Sequence, residues 1–350
     1  MSKAAASTYE RLLRPLLFRL DAETAHRLGQ FVLRRELPWS LLPPFDDGGR
    51  LAVRVGDWNL ESPIGLAAGF DKDGDAVAGL QHLGFDYVTV GSILNAPSSG
   101  HPRPRLIRYP EQESMVNCYG LPSQGLAACV ETFKRLRARK LRTKLIANVH
   151  AESVTDYAHS CAALAPYADG VELALRCPNR SDHLALYPVD QLDELVGTLR
   201  RQHPDQALFV KLPPFTNDEE KRNRLELVEH AIDFGLTGVT IQGNWTVAEP
   251  RLSRGQGSLS GRMTFASNLA TVRAVAEAAK GRIAVRASGG VFTGADALQM
   301  IEAGATMIDI FTAFIYRGWN TAAKIKAEML ASMDERGIAR VADLRLDRGG

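Results

Sequence analysis

Two hydrophobic periodicities alternate along most of the chain. Short apolar runs, typical of buried parallel strands, are separated by longer segments whose apolar residues lie three and four apart, as in amphipathic helices. The apolar runs predict eight strands, at 64–68, 87–91, 144–149, 170–175, 207–212, 238–242, 283–287 and 307–311. The clearest helices between them are predicted at 124–140, 218–234, 265–280 and 294–303.

The order of these elements predicts the fold. Eight strands that alternate with helices over about 270 residues match the count and size of a TIM (β/α)8 barrel, an α/β fold. A doubly wound open sheet is the alternative, but no Gly-x-Gly-x-x-Gly motif follows the first strand. We therefore predict a TIM barrel, in which ligands bind at the carboxyl ends of the strands.

The first 45 residues follow a different pattern. Apolar residues recur at helical spacing over 9–20 and 22–35, with arginines between them, and a linker rich in proline, aspartate and glycine follows at 43–49. We therefore divide the chain into an N-terminal extension, residues 1–45, and a barrel, residues 46–350. Short basic amphipathic helices either cap a domain or lie in a membrane surface, and the pattern alone leaves both interpretations open.

Composition narrows the class of protein. A hydrophobic content of 45% and a charged content of 23% are typical of a globular enzyme. The net charge of +2 comes from scattered basic residues, so we expect no nucleic-acid partner. The 4 cysteines lack the spacing of a zinc site or a disulfide framework, which predicts no metal and favours the cytoplasm. No signal peptide and no membrane-spanning apolar run is predicted.

The residues at the predicted strand ends suggest a cofactor. A glycine pair after strand seven, Gly289-Gly290, and a hydroxyl after strand eight, Thr312, suit the phosphate site that such barrels often carry there. Lys211 ends an apolar strand, so its ammonium is expected in the barrel mouth, where it needs an anion. A phosphorylated cofactor that becomes anionic on reduction supplies one, and flavin mononucleotide (FMN) fits this description.

A thiol follows the fourth predicted strand. The run at 171–175 stops before Arg176-Cys177-Pro178, because proline cannot continue a regular strand. Cys177 is thereby placed at the site end of the barrel with an arginine beside it. The alternative interpretation is a packing role, since most lone cysteines are small buried hydrophobic residues.

Several motifs, taken in order, resemble those of the dihydroorotate dehydrogenase family over nearly the whole chain. The segment 64–74, Ile-Gly-Leu-Ala-Ala-Gly-Phe-Asp-Lys-Asp-Gly, is very close to the first-strand signature of that family. Segments 101–108 and 116–120 resemble the approach to its substrate loop, and segments 258–262 and 288–291 resemble its flavin-phosphate motifs. The N-terminal extension, including Leu20-Asp21 and Ala25-His26, is similar to that of the membrane-associated, quinone-using members.

The resemblance implies an FMN-dependent oxidoreductase acting on CH–CH groups. A base removes a proton from the carbon next to a carbonyl while hydride passes from the adjacent carbon to flavin N5. Cys177 occupies the position of that base, and the charge of Arg176 is suited to lower its pKa. Lys72 is expected to contact flavin and substrate, and Lys211 to stabilise the reduced flavin.

The resemblance also implies sets of binding residues. Those expected to hold the cofactor are Ala67, Ala68, Gly69, Lys72, Ser92, Asn148, Lys211, Ser260, Gly261, Gly289, Gly290, Phe311 and Thr312. Those expected at the substrate are Lys72, Asn117, Tyr119, Gly120, Leu121, Arg176, Asn179, Arg180 and Asn244. His26 and Arg108 are expected at a quinone site, with residues 7–42 in peripheral contact with the inner face of the cytoplasmic membrane.

The departures from the family pattern fall on substrate recognition. Ala174 replaces the strand-four asparagine, Gln242-Gly243-Asn244 replaces Thr-Asn-Thr, and Leu121-Pro122 replaces Phe-Asn. Conversely, Arg176 and Arg180 stand where small hydroxyl residues are usual, and guanidinium groups suit carboxylates and phosphates. We therefore favour an enzyme of this family that acts on another substrate. An authentic dihydroorotate dehydrogenase with a rebuilt pocket and a non-catalytic flavin-binding barrel are the alternatives.

Overall fold

Eight parallel strands close into a barrel in the computed structural model, which describes residues 7–175 and 189–348. The strands are β1 (Val53–Val55), β2 (Trp58–Leu60), β3 (Ile64–Leu66), β4 (Tyr87–Ile93), β5 (Leu106–Tyr109), β6 (Ser114–Asn117), β7 (Lys144–Val149), β8 (Gly170–Leu173), β9 (Ala207–Leu212), β10 (Gly238–Ile241), β11 (Trp245–Ala248), β12 (Gln256–Gly261), β13 (Ala284–Ser288) and β14 (Met307–Ile310). The barrel order is β3-β4-β7-β8-β9-β10-β13-β14, with β14 paired to β3. The predicted TIM barrel is confirmed.

Helices follow the barrel strands, as the periodicity predicts. They are α1 (Arg14–Leu17), α2 (Ala22–Leu33), α3 (Val77–Leu80), α4 (Leu126–Arg137), α5 (Val154–Leu164), α6 (Val189–Gln202), α7 (Asp218–Asp233), α8 (Phe265–Ala279), α9 (Gly294–Glu302), α10 (Thr312–Arg317) and α11 (Thr321–Glu335). A π-helical turn, Tyr9–Leu13, leads into α1, and 3-10 turns lie at Trp39–Leu41, Arg262–Thr264 and Val341–Arg348. Side-chain caps fix several starts; for example, Asn217 accepts from the backbone N–H of Glu220 at the start of α7.

Two smaller sheets, which the periodicity did not predict, close the ends of the barrel. The β1–β2 hairpin lies at the amino-terminal end, where the Trp58 ring packs 5.7 Å from that of Phe209. At the other end, β11, β12, β6 and β5 form an antiparallel sheet in that order. This sheet contains Arg108, Asn117 and Ser260, so it brings them to the end where ligands bind.

The N-terminal extension packs over the carboxyl ends of the barrel strands. The Tyr9 hydroxyl donates to the carbonyl of Ile315 at 2.7 Å, and the Gln30 side-chain amide donates to the carbonyl of Phe70 at 2.7 Å. The Asp21 carboxylate caps α2 by accepting from the backbone N–H of Thr24. None of the helices in the described part of the chain is long and apolar enough to span a bilayer.

Candidate functional site

One cavity of about 700 Å³ extends from between the N-terminal helices into the barrel mouth. It brings together most of the residues that the sequence singled out, although they come from nearly the full length of the chain. Those in its wall are His26, Ala67, Ala68, Gly69, Lys72, Ser92, Arg108, Asn117, Tyr119, Leu121, Lys211, Asn244, Ser260, Gly261, Gly289, Gly290, Phe311 and Thr312. Parallel strands produce this convergence because their carboxyl ends share one rim.

Two of the expected site residues in the described part of the chain are not in this wall. Gly120 is not among the residues that line the cavity. Asn148 is fully buried beneath it, on β7, and its side-chain amide donates to Glu172 at 2.5 Å. The expected base Cys177 and the other expected substrate residues of that loop, Arg176, Asn179 and Arg180, lie outside the described residues.

Lys72 provides a cation in the cavity wall. Its ammonium donates to the carbonyl of Gly69 at 2.9 Å and lies 4.4 Å from the centroid of the Tyr119 ring. Burial lowers the pKa of Lys72 to about 8, although the nearby Asp73 and Asp71 carboxylates oppose the shift. Burial also raises the pKa of Tyr119 above its ordinary value, so its phenol is protonated at neutral pH. This wall therefore suits a bound anion.

A glycine pair shapes the opposite part of the mouth. Gly289 and Gly290 have φ angles of 98° and 79°, which favour glycine. A Cβ on Gly289 would lie 2.2 Å from Nδ2 of Asn268, and one on Gly290 would lie 2.5 Å from the Cα of Phe265. In the same wall, the Thr312 hydroxyl donates to that of Ser260 at 3.2 Å. Glycines let the backbone N–H groups come close to a ligand, and with hydroxyls nearby this arrangement is suited to a phosphate group.

Four charged side chains alternate in sign beneath the mouth. Lys211 Nζ lies 3.7 Å from Glu172 Oε1, Glu172 Oε2 accepts from Arg286 at 3.0 Å, and Arg286 donates to Asp309 at 2.9 Å. Burial alone would raise the pKa of Glu172, but the adjacent cations hold it below its ordinary value. The carboxylate is therefore charged at neutral pH. From the sequence, only a cofactor was expected to supply an anion for Lys211, whereas the fold places Glu172 beside it.

The members of this charged network other than Lys211 are not among the site residues predicted from the sequence. The sequence does contain a signal for the network, because Glu172, Arg286 and Asp309 each interrupt an apolar run that was predicted as a buried strand. His150 and Gln242 were not predicted as site residues either, and both line the cavity. The Gln242 amide donates to the side-chain carbonyl of Asn244 at 2.8 Å, which orients the amide expected at the substrate.

The outer part of the cavity is apolar and bears the two residues expected at a quinone. The His26 ring lies edge-on to Phe70 at 5.1 Å, and burial lowers its pKa to about 3, so the ring is neutral. Its Nε2 is buried and has no hydrogen-bond partner among the residues that the structure describes. Arg108 lies 4.5 Å from the centroid of the Phe18 ring and donates to the carbonyl of Leu20.

The fold and cavity define a class: a (β/α)8 barrel with a ligand site at the carboxyl ends of its strands and a helical extension over that site. A profile described as Dihydroorotate dehydrogenase matches residues 50–333. The chain therefore belongs to the dihydroorotate dehydrogenase family and is an oxidoreductase acting on CH–CH groups.

Relatives and solved structures agree with this assignment. The chain is 34% identical to the mitochondrial dihydroorotate dehydrogenase (quinone) of Mus musculus over 362 residues, covering 96% of this chain and 89% of the mouse protein. It is 36% identical to the dihydroorotate dehydrogenase (quinone) of Methylococcus capsulatus, covering 89% and 95%. A crystal structure of the Eimeria tenella enzyme with ferulenol superimposes with a TM-score of 0.83 at 26% identity, covering 94% and 97%.

Proposed function

We propose that this protein is an FMN-dependent, quinone-linked oxidoreductase that acts on a small anionic substrate other than dihydroorotate. The observation that carries the substrate proposal is Ala174, which lines the cavity at the end of β8 with a methyl group. In the family pattern that it resembles, an asparagine side chain at this position binds the orotate ring. Each ring group left without its partner costs about 1–3 kcal/mol, so several such changes disfavour dihydroorotate.

FMN fits the residues that are present. The crowded Gly289-Gly290 backbone, Ser260 and Thr312 would hold its phosphate, and Lys211 and Lys72, which line the same cavity, are proposed to contact its ring. Asn148 adds a buried side-chain carbonyl that has no partner among the described residues. When bound, FMN supplies a ring that takes up a hydride and thereby gains one negative charge.

The protein's own residues would handle the substrate charge and the proton. The Lys72 ammonium is available to hold a carboxylate, since it lines the cavity and its pKa of about 8 keeps most of it charged at neutral pH. Cys177 is the proposed base, on the strength of its position after β8 and the resemblance of its motif. Arg176 and Arg180 are proposed to hold a second anionic group of the substrate, because guanidinium forks suit carboxylates and phosphates.

The N-terminal extension supports a quinone and a membrane as partners. Among the described residues, all of the exposed large hydrophobic side chains except Met263 lie between Leu12 and Leu42. Exposed arginines, including Arg11 and Arg27, lie beside them, which is the composition of a surface that docks to anionic lipid. The apolar cavity passes from this surface to Lys72 and Lys211, a route suited to a lipophilic electron acceptor. We propose peripheral attachment to the inner face of the cytoplasmic membrane.

The second candidate is dihydroorotate dehydrogenase itself. It is favoured by the relatives, which are named as quinone-dependent dihydroorotate dehydrogenases and match over most of the chain. The two candidates share the cofactor and the electron acceptor, so only the substrate separates them.

Anaerobic flavin reduction tests both candidates. Purified protein is expected to be yellow and to release FMN on denaturation, and its flavin should be reoxidised by a short-chain ubiquinone. Dihydroorotate should leave the flavin oxidised, whereas one member of a panel of cyclic, acidic precursors of enones should bleach it. Rapid bleaching by dihydroorotate would establish the second candidate instead. Protein that takes up no FMN would overturn both, and undiminished bleaching in Cys177→Ala would remove the thiol as the base.

A further inference from the structure

The four charged side chains beneath the cavity, Lys211, Glu172, Arg286 and Asp309, form a continuous network across the barrel interior. Arg286 is 0% exposed, Glu172 1% and Asp309 2%, whereas Lys211 is 18% exposed. The two ends of the network, Lys211 and Asp309, line the cavity. Two cations and two anions alternate, so each inner charge lies between opposite neighbours. The Arg286 guanidinium also donates to the Thr89 hydroxyl at 2.9 Å.

Stability alone does not account for this network of buried charges. Burying charges is costly even when they are paired, and well-packed apolar side chains of similar volume are usually as stable or more so. Most of the remaining barrel interior is apolar, as its buried valine, leucine and isoleucine side chains show. A role beyond packing would account for these charges, and their contact with the cavity at Lys211 and Asp309 indicates where that role lies.

Both oxygens of Glu172 are held in place. Oε1 accepts from the Asn148 amide at 2.5 Å and faces Lys211 Nζ at 3.7 Å, and Oε2 accepts from Arg286 at 3.0 Å. The carboxylate therefore has little freedom to follow any movement of Lys211. It acts as a fixed negative charge behind the one network cation that lines the cavity.

We propose that Glu172 is a positioning residue that anchors the Lys211 ammonium at the floor of the cavity and lowers the reduction potential of the bound flavin. This inference rests on the proposed function, which places FMN in the cavity. A cation beside the flavin ring favours the negative charge that reduction adds. A carboxylate 3.7 Å behind that cation offsets part of this effect, because charges interact strongly in a poorly solvated interior.

The midpoint potential of bound FMN, measured by spectroelectrochemistry, tests the inference. Glu172→Gln keeps the shape of the side chain and removes its charge, so the potential should become more positive. We expect a tenfold change in the equilibrium constant, which is about 30 mV for a two-electron couple. Asp86→Asn is the control, since Asp86 forms a buried pair with Lys326 at 2.7 Å next to the amino-terminal end of β4, away from the cavity. The midpoint potential of FMN in Asp86→Asn should equal that in the wild type.

Two further variants establish that Lys211 mediates the effect. In a Lys211→Met background, Glu172→Gln should shift the potential less than half as much as in the wild type; an undiminished shift would overturn the positioning role. Glu172→Asp withdraws the charge from Lys211 and is the variant to use if Glu172→Gln does not fold. A wild-type potential in every folded Glu172 variant would overturn the inference. Failure of the wild type to bind FMN would instead overturn the proposed function.

Discussion

Glu23 on α2 and Arg105, which precedes β5, form a bidentate ion pair. Arg105 donates from Nε to Oε2 at 3.0 Å and from a terminal nitrogen to Oε1 at 2.7 Å, and Arg103 adds a third hydrogen bond at 2.9 Å. The Arg105 guanidinium also lies 5.2 Å from the centroid of the Tyr119 ring, near which Lys72 is held. The N-terminal extension is thus connected to the candidate site by three contacts in series.

Removing the charge of Glu23 should loosen the N-terminal extension. The Glu23 side chain is only 9% exposed, so Glu23→Gln should lower the free energy of unfolding by about 1.5–3 kcal/mol, the usual contribution of hydrogen bonds to charged groups. Urea unfolding measures this loss, and limited proteolysis should cut residues 7–42 faster. The control is Glu36→Gln, because Glu36 and Arg139 pair at 3.1 Å on an exposed surface and should contribute little. Equal effects of the two substitutions would contradict the prediction.

The same pair predicts how stability depends on pH. Burial alone would raise the pKa of Glu23, but the hydrogen bonds and charges of Arg105 and Arg103 outweigh burial and lower it from 4.5. Since the folded pKa lies below the unfolded one, the contribution of the pair is complete above the unfolded value. It is lost as the pH falls through the folded value. Stability measured against pH should therefore fall less steeply in acid for Glu23→Gln than for the wild type.

Lys72 should lose its charge at an unusually low pH. Because burial lowers its pKa to about 8, the neutral amine forms near pH 8 and reacts with cyanate there. Carbamylation followed by peptide mass spectrometry should give a midpoint near this value. Lys134 is the control, since its hydrogen bond to the Glu131 carboxylate raises its pKa above the ordinary value. A Lys72 midpoint as high as that of Lys134 would show that the ammonium is not desolvated.

Gly290→Ala should weaken FMN binding without preventing folding. The new methyl group would meet the Cα of Phe265 at 2.5 Å, so the loop must shift away from the position proposed to hold the phosphate. Overpacking of this kind costs about 1–3 kcal/mol, which corresponds to roughly fivefold to 150-fold in affinity. Gly281→Ala is a matched control, because Gly281 has a similar φ of 74° but no atom within 4 Å of the new Cβ. Quenching of flavin fluorescence measures both affinities. Equal affinities would show that the close approach at Gly290 plays no part in binding.

The apolar surface of the N-terminal extension should bind lipid. Leu16→Gln and Phe31→Gln should each reduce co-sedimentation with anionic vesicles about tenfold or more, since burying such a side chain contributes about 1.5–3 kcal/mol. Met263→Gln should leave it unchanged. All three residues are 57% exposed, so a difference in vesicle binding reflects where the residue lies and not how exposed it is. The membrane proposal fails if the three variants bind equally well.

The sequence by itself determined the strands and helices of the barrel and the residues at the strand ends. Each predicted strand lies within two residues of an observed one, for example 207–212 for β9. These features depend on the spacing of apolar residues within short segments, so a local pattern contains them. Lys211 was predicted in the barrel mouth for the same reason, because an apolar run directly precedes it.

Only the tertiary structure decided which distant side chains meet. Glu172 and Arg286 are 114 positions apart, and Glu23 and Arg105 are 82 positions apart. No local pattern pairs them, because their contact depends on barrel closure and strand register. The antiparallel sheet consists of two local hairpins, β5–β6 and β11–β12, which join only through the β6–β12 pairing across a long separation, and no local pattern contains that pairing. The sequence thus determined which charged residues lie in the barrel strands, and barrel closure decided which opposite charges lie beside them.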